Sequence, residues 1–246
     1  MNKKRKIIIA ALAITLVAVL IIAGTLAYLW DRQEKTNTFS IGTLKLEVEE
    51  PSWNDGEDGQ QMVPGDVKCK DPTIVLTGDA YVRFIVSIID QNGDDVTNPN
   101  FGKVITDPAR LALILTTIRF DAKYESEDFI PDVSKMDLSV DKEFTLAELA
   151  LFPMMNPEFV LDAVRSETGV YYYMYEKAAD NDIVKAGEYK TLFTNIVIPA
   201  DWTEVEHELL GRYKINIAAE AIQKASFADK DEAFLMLDEE IAKKGS

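Results

Sequence analysis

The sequence predicts a mainly β protein: an antiparallel sandwich with helical insertions and a C-terminal helix. Three observations lead there. Several segments alternate or run apolar over strand lengths and are bounded by Pro, Gly, Asn and Asp. No regular strand–helix–strand alternation links them, as a parallel sheet would require. Finally, Asp229 to Lys244 repeats apolar residues at helical spacing.

The elements follow in order. Thr38 to Glu49 reads as a half-buried strand, because Leu44, Leu46 and Val48 alternate with Lys45, Glu47 and Glu49. Pro51 to Gln61 is rich in turn formers and reads as a solvated loop. A Pro64-Gly65 turn precedes a strand from Val67 to Leu76, which Asp71-Pro72 interrupts as an edge or a bulge. Tyr81 to Ile89 is strongly β-forming, and Asn92-Gly93 supplies a turn after it. Leu113 to Tyr124 reads as another strand, preceded by a helical turn that Asp107 caps and Pro108 opens. Thr145 to Leu151 and Pro157 to Glu167 read as helices, the second with Phe159, Val160, Ala163 and Val164 as its stripe. Strands resume at Val170 to Tyr175, Tyr189 to Ile198 and Tyr213 to Ile222, and the last helix presents Ala233, Phe234, Leu237 and Ile241 on one face.

With 246 residues, 47% of them apolar, the chain can bury a full core without disulfides or metals. The net charge is −16, and loss of Lys3, Lys4, Arg5 and Lys6 with a leader would leave 22 basic against 42 acidic residues. Such a surface repels phosphate backbones and anionic lipid, which argues against nucleic-acid partners. Cys69 is the only cysteine, so no intrachain disulfide forms; it reads as a half-buried strand residue, with a reactive thiol or an intermolecular bridge as the alternative.

Residues 1–27 have a signal-peptide layout. Met1 to Lys6 is basic, and Ile7 to Ala23 is an unbroken run of 17 apolar or small residues. Thr25 and Ala27 occupy the −3 and −1 positions of a cut before Tyr28. The run is close to the ~20 residues of a membrane span, so a retained anchor is the alternative to cleavage. Basic residues ahead of the run hold that end inside, and the remainder, one domain over 28–246 with a helical insertion at about 92–170, is exported either way.

A series of short motifs follows in fixed order. Gly24-Thr25-Leu26-Ala27-Tyr28-Leu29-Trp30-Asp31 leads to Thr36-Asn37-Thr38-Phe39-Ser40-Ile41-Gly42, Val63-Pro64-Gly65-Asp66-Val67, Lys70-Asp71-Pro72 and Ala80-Tyr81-Val82-Arg83. Lys185-Ala186-Gly187-Glu188, Leu192-Phe193-Thr194 and Ala221-Ile222-Gln223 come later. Together they resemble the TasA/camelysin (CalY) family of Gram-positive secreted matrix proteins. The resemblance implies a jelly-roll β-sandwich, export through an ER-type signal peptidase and assembly into extracellular biofilm fibres. In such fibres the N-terminal segment of one subunit completes the sheet of the next, which satisfies an open edge and propagates head to tail. The donor candidate here is Leu29 to Ile41, with Leu29, Trp30, Phe39 and Ile41 as anchors. The alternative is that this segment folds back as the domain's own first strand.

Catalytic chemistry is sparse. His207 is the only histidine, and it begins His207-Glu208-Leu209-Leu210-Gly211. A helical zinc-protease motif needs a second histidine at the fifth position, where Gly211 stands. Asp90 to Asp95 offers calcium-type ligands without EF-hand spacing or a closing glutamate, and reads as an acidic hairpin turn. No serine triad motif, dinucleotide fingerprint or phosphate loop is present, so no catalytic, metal or cofactor residue is assigned. Tyr171, Tyr172, Tyr173 and Tyr175 could stack on glycans, but core and cross-strand packing is the expected use.

The expected function is therefore a secreted, matrix or cell-surface fibre subunit, not an enzyme. Its partners would be its own copies, signal peptidase during export, and other matrix proteins or glycans. The alternatives are a monomeric surface adhesin or accessory binding module, motivated by the tyrosine-rich strand and the unmatched 92–170 stretch, and a secreted metalloprotease, for which only the family name speaks.

Overall fold

The computed structural model describes residues 30–34, 46–50, 62–93, 96–124, 137–224 and 227–244. Its strands are β1 (Trp30–Glu34), β2 (Leu46–Glu49), β3 (Val67–Cys69), β4 (Thr73–Leu76), β5 (Ala80–Asp90), β6 (Ile118–Arg119), β7 (Phe159–Leu161), β8 (Val170–Tyr175), β9 (Tyr189–Thr191), β10 (Asn195–Val197) and β11 (Tyr213–Gln223). The helices are α1 (Pro108–Thr117), α2 (Leu146–Leu149), α3 (Glu204–Leu210) and α4 (Lys230–Lys244). The architecture is mainly β. A five-stranded sheet runs β1-β11-β5-β8-β7, and two three-stranded sheets run β3-β10-β6 and β2-β4-β9. Every pairing among them is antiparallel.

Burial explains why β5 reads as an almost continuous apolar run. Ala80, Val82, Phe84, Val86 and Ile88 face the main core, which they share with Leu46, Ile74, Leu76, Ile118 and Ile196 from the small sheets. Tyr81 points the other way, into a second cluster made with Met174, Ile222 and the Ala233, Phe234 and Leu237 of α4. With a layer on each side, both faces of β5 are apolar over most of their length, with Arg83, Ser87 and Asp90 as the exceptions. The predicted stripe of the C-terminal helix thus meets its sheet, with Ile241 packed at the margin.

Three expectations are corrected. Residues 113–117 are helical, because Asp107 accepts a hydrogen bond from the Arg110 amide at 2.7 Å and Pro108 starts a full helix that buries Arg110, Leu111, Ile114 and Thr117. Of the strand expected from Leu113 to Tyr124, only Ile118–Arg119 is one. The helix expected from Pro157 to Glu167 is instead β7 followed by a turn. Phe159 packs edge-on against Phe84 and Tyr175, with ring centroids 5.1 and 5.6 Å away, and the Asp162 carboxylate accepts from the amides of Val164 and Arg165. Val164, placed on the expected stripe, is 94% exposed. Finally, Tyr189 to Ile198 is broken into β9 and β10, which belong to different sheets.

The other elements fall where expected. Asp71-Pro72 separates β3 from β4, and Thr145 caps α2 through a reciprocal bond with Glu148. Of the strand expected from Thr38, residues 46–49 are β2 and residues 38–45 lie outside the described residues. The 92–170 stretch supplies α1 and α2 but also β6 and β7, so it contributes to two of the sheets. Among the described residues no helix is long and apolar enough to cross a membrane.

Gly169 holds the end of this framework. Its carbonyl accepts from the Ile88 amide at 2.9 Å, its φ is +81°, and an added Cβ would meet the Ile105 carbonyl oxygen at 2.2 Å. Gly102 has a similar φ of +73° with nothing within 4 Å. Gly102→Ala should therefore cost only the ~1–2 kcal/mol of a left-handed alanine, whereas Gly169→Ala should cost clearly more. Urea unfolding of the two variants checks this, and equal losses would refute it.

Candidate functional site

Of the residues singled out for assembly, Trp30 is the one described, and it lies in β1 on the outer edge of β11. Tyr213 to Gln223 pairs along its whole length with β5. The Gln91 amide donates to the Arg212 carbonyl at 3.0 Å, which fixes the phase of that ladder. Stepping two residues at a time, Glu220 and Ile222 direct their backbone groups at β5, while Ala219 and Ala221 direct theirs outward. Opposite them lie Gln33 and Asp31 of β1, in a register that runs from Trp30↔Ile222 to Glu34↔Ala218. Part of the donor candidate thus already completes its own sheet. Trp30 to Glu34 are the part of the donor candidate that the structure describes. Leu29, Phe39 and Ile41, with the cleavage residues Thr25, Ala27 and Tyr28, lie outside the described residues.

The face of the sheet behind this edge is locked by charge. Arg83 on β5, only 1% exposed, donates from Nε to Glu220 at 2.7 Å and from Nη2 to Asp238 of α4 at 2.5 Å. Its guanidinium lies 4.6 Å from the Phe234 ring centroid and 5.1 Å from that of Tyr172. Arg165 donates to the second oxygen of Asp238 at 2.7 Å and to Asp162 at 2.6 Å. Burial works against ionised Asp238, but the hydrogen bonds from Arg83 and Arg165 outweigh it and hold its pKa below the ordinary 3.8. Burial likewise opposes the Arg83 charge, and the hydrogen bonds it donates to Asp238 and Glu220, with their negative charges, more than restore it. The cluster ties β5, β11, α4 and the turn after β7 to one point.

The family model described as Camelysin metallo-endopeptidase matches residues 2–149, more than half of the chain. The chain belongs to the camelysin family. The match agrees with the resemblance read from the ordered motifs. Comparison with curated proteins found no match.

A camelysin described as a metallo-endopeptidase implies a metal, so the donor set decides whether one fits. His207 sits on α3, a helix started by a Thr203–Glu206 capping box that the sequence reading passed over. Its Nε2 lies 3.0 Å from the Met62 carbonyl oxygen, and Gly211, at the position a second histidine would need, ends the helix with φ +57°. Among the described residues no group of three His, Cys, Asp or Glu side chains is gathered as a metal site. These residues do not fit a zinc-protease centre. At the acidic turn, Asp90 is committed to Arg110 at 3.1 Å, the Asn92 amide and Asn98, while Asp94 and Asp95 lie outside the described residues. Tyr173 and Tyr175 are in the core, as the packing reading held, and burial pushes the Tyr173 hydroxyl up to about 12. Cys69 is buried, with the Asn195 amide 3.8 Å from its sulfur.

Two outcomes follow from the Arg83 cluster. Arg83→Met leaves a carboxylate in the interior without its main counter-charge, and should cost ~3–5 kcal/mol in urea unfolding. Asp238, whose folded pKa is depressed, adds stability that is complete above its unfolded value near 3.9 and is lost as pH falls through the lower folded value. Asp238→Asn should therefore lower stability at neutral pH and flatten its decline below about pH 4. An unchanged acid limb, followed by thermal unfolding against pH, would count against this role.

Proposed function

We propose that this camelysin-family chain is a secreted structural subunit of extracellular matrix fibres, which assembles when the N-terminal segment of one copy adds to the sheet of another. The observation that carries the reading is the position of β1. The N-terminal segment is itself an edge strand of the largest sheet, paired over five residues with one neighbour. An open sheet edge presents unpaired backbone groups that an extended segment of another copy can satisfy, so the N-terminal segment that carries β1 is suited to link copies. The leader layout of residues 1–27 supports export, with the mature chain beginning at Tyr28 and residing in the matrix or at the cell surface. Copies of the same chain are the main partners, and signal peptidase acts during export.

The mature chain from Tyr28 should form filaments visible by electron microscopy, and deletion of Leu29 to Ile41 should abolish them. Persistent monomers from the mature chain, unchanged by that deletion, would remove the reading.

The family description favours one further reading, a secreted metalloprotease. It requires casein hydrolysis that disappears with chelator and with His207→Ala. The donor set around His207 supports the non-enzymatic reading instead, and hydrolysis indifferent to both treatments would dispose of the protease.

A further inference from the structure

If β1 stays on its own β11, the edge that receives a neighbour must be found elsewhere. The five-stranded sheet has a second edge at its far end, β7. The Asp162 amide donates to the Tyr172 carbonyl and the Glu176 amide to the Glu158 carbonyl, both at 2.8 Å, so Val160 is the residue that bonds to β8 between them. The amide and carbonyl of Leu161 and the carbonyl of Phe159 therefore point away from the sheet, with no hydrogen-bond partner among the described residues. Among the edge strands whose side chains are described, β7 is the one that also exposes two aliphatic side chains, Val160 at 43% and Leu161 at 44%. Leu161 lies toward the core face and Val160 toward the α4 face, since their register partners are Tyr173 and Met174. An added strand would find backbone groups to pair with and apolar contact on both faces.

We propose that β7 is the acceptor edge for residues 35–45 of a second copy, a proposal that rests on the fibre reading above. That segment contains Lys35 and Lys45 and no acidic residue, within a chain of net charge −16. It is thus drawn to the acidic body of a neighbour. Its eleven residues join β1 to β2 and, held at both ends, can loop out by about half their contour, roughly 18 Å against the roughly 10 Å of a three-residue strand. It carries Phe39 and Ile41, two of the donor candidate's anchors outside β1, on one side of an extended chain. Because the segment follows directly on β1, which lies at the sheet edge opposite β7, each added copy presents a fresh β7, and the contact grows as an open filament.

One other edge competes. Tyr213 to Ile217 of β11 lies directly ahead of Glu34 in the β1 register, beyond the span that β1 covers. Thiol cross-linking separates the two. Mature Ser40→Cys chains are mixed with either Leu161→Cys or Lys214→Cys chains, assembled, oxidised, and the linked peptides identified by mass spectrometry; buried Cys69 does not compete. The expected result is a Ser40→Cys link to Leu161→Cys, with Leu161→Lys chains folded at wild-type melting temperature yet unable to elongate. Links to Lys214→Cys, with Leu161→Lys fibres intact, would overturn the β7 assignment while the fibre reading survives. Absence of filaments from the unmodified mature chain would overturn both.

Discussion

The eleven-residue antiparallel ladder between β5 and β11 is the constraint on which the rest of the structure depends. Its inner side chains, Phe84, Val86 and Ile88 with Ile215, Ile217 and Ala219, form the floor against which both small sheets pack. Its outer side chains include Arg83 and Glu220, an ion pair that is tolerable at 1% exposure because several hydrogen bonds and two aromatic faces replace the lost water. Register is fixed by this arrangement. A slip of one residue would drive Arg83 into the aliphatic core and lift Phe84 out of it.

The same ladder sets what the two sides of the molecule can do. Inside, the chemistry is apolar: Tyr173 and Tyr175 belong to the core and Tyr171 packs against it, while Tyr172 lies on the other face beside the Arg83 guanidinium. Outside, charged groups are mostly committed to one another: Glu158 to Lys177 and Lys190, Lys230 to Glu176 and Asp182. Carboxylates occupied in this way are poorly placed to gather around a metal or to share a proton, as hydrolytic chemistry would need. What the described residues do offer is backbone, at sheet edges.

The long strands were legible in the sequence because their patterns are strong and local. Tyr81 to Ile89 and Tyr213 to Ile222 carry enough β-branched and aromatic residues to be placed within a residue or two, and the C-terminal helix shows its stripe directly. The errors fall where tertiary contact overrides local spacing. Phe159 and Val160 have helical neighbours in sequence, yet Phe159 is held in a strand by rings on β5 and β8 that local periodicity does not reveal. Ile114 to Thr117 has strand composition, but the Asp107-Pro108 start signal lies upstream and outweighs it. Helix α3 was announced by Thr203 and Glu206, a capping box that was there to be read. The site was legible only as a segment, since its edge partners depend on strand order, and no spacing along the chain encodes which strand lies at the far side of a sheet.

Strand order also governs how the chain acquires its shape. β5 ends at Asp90, but its two neighbours, β8 and β11, begin at Val170 and Tyr213. A chain emerging from its N-terminus therefore carries its most apolar strand for about 80 residues before the first neighbour arrives, and for more than 120 before the second. Such long sequence separations close slowly. The polypeptide is thereby kept loose until nearly all of it has been made, and the rigid body forms only once the last long strand has arrived.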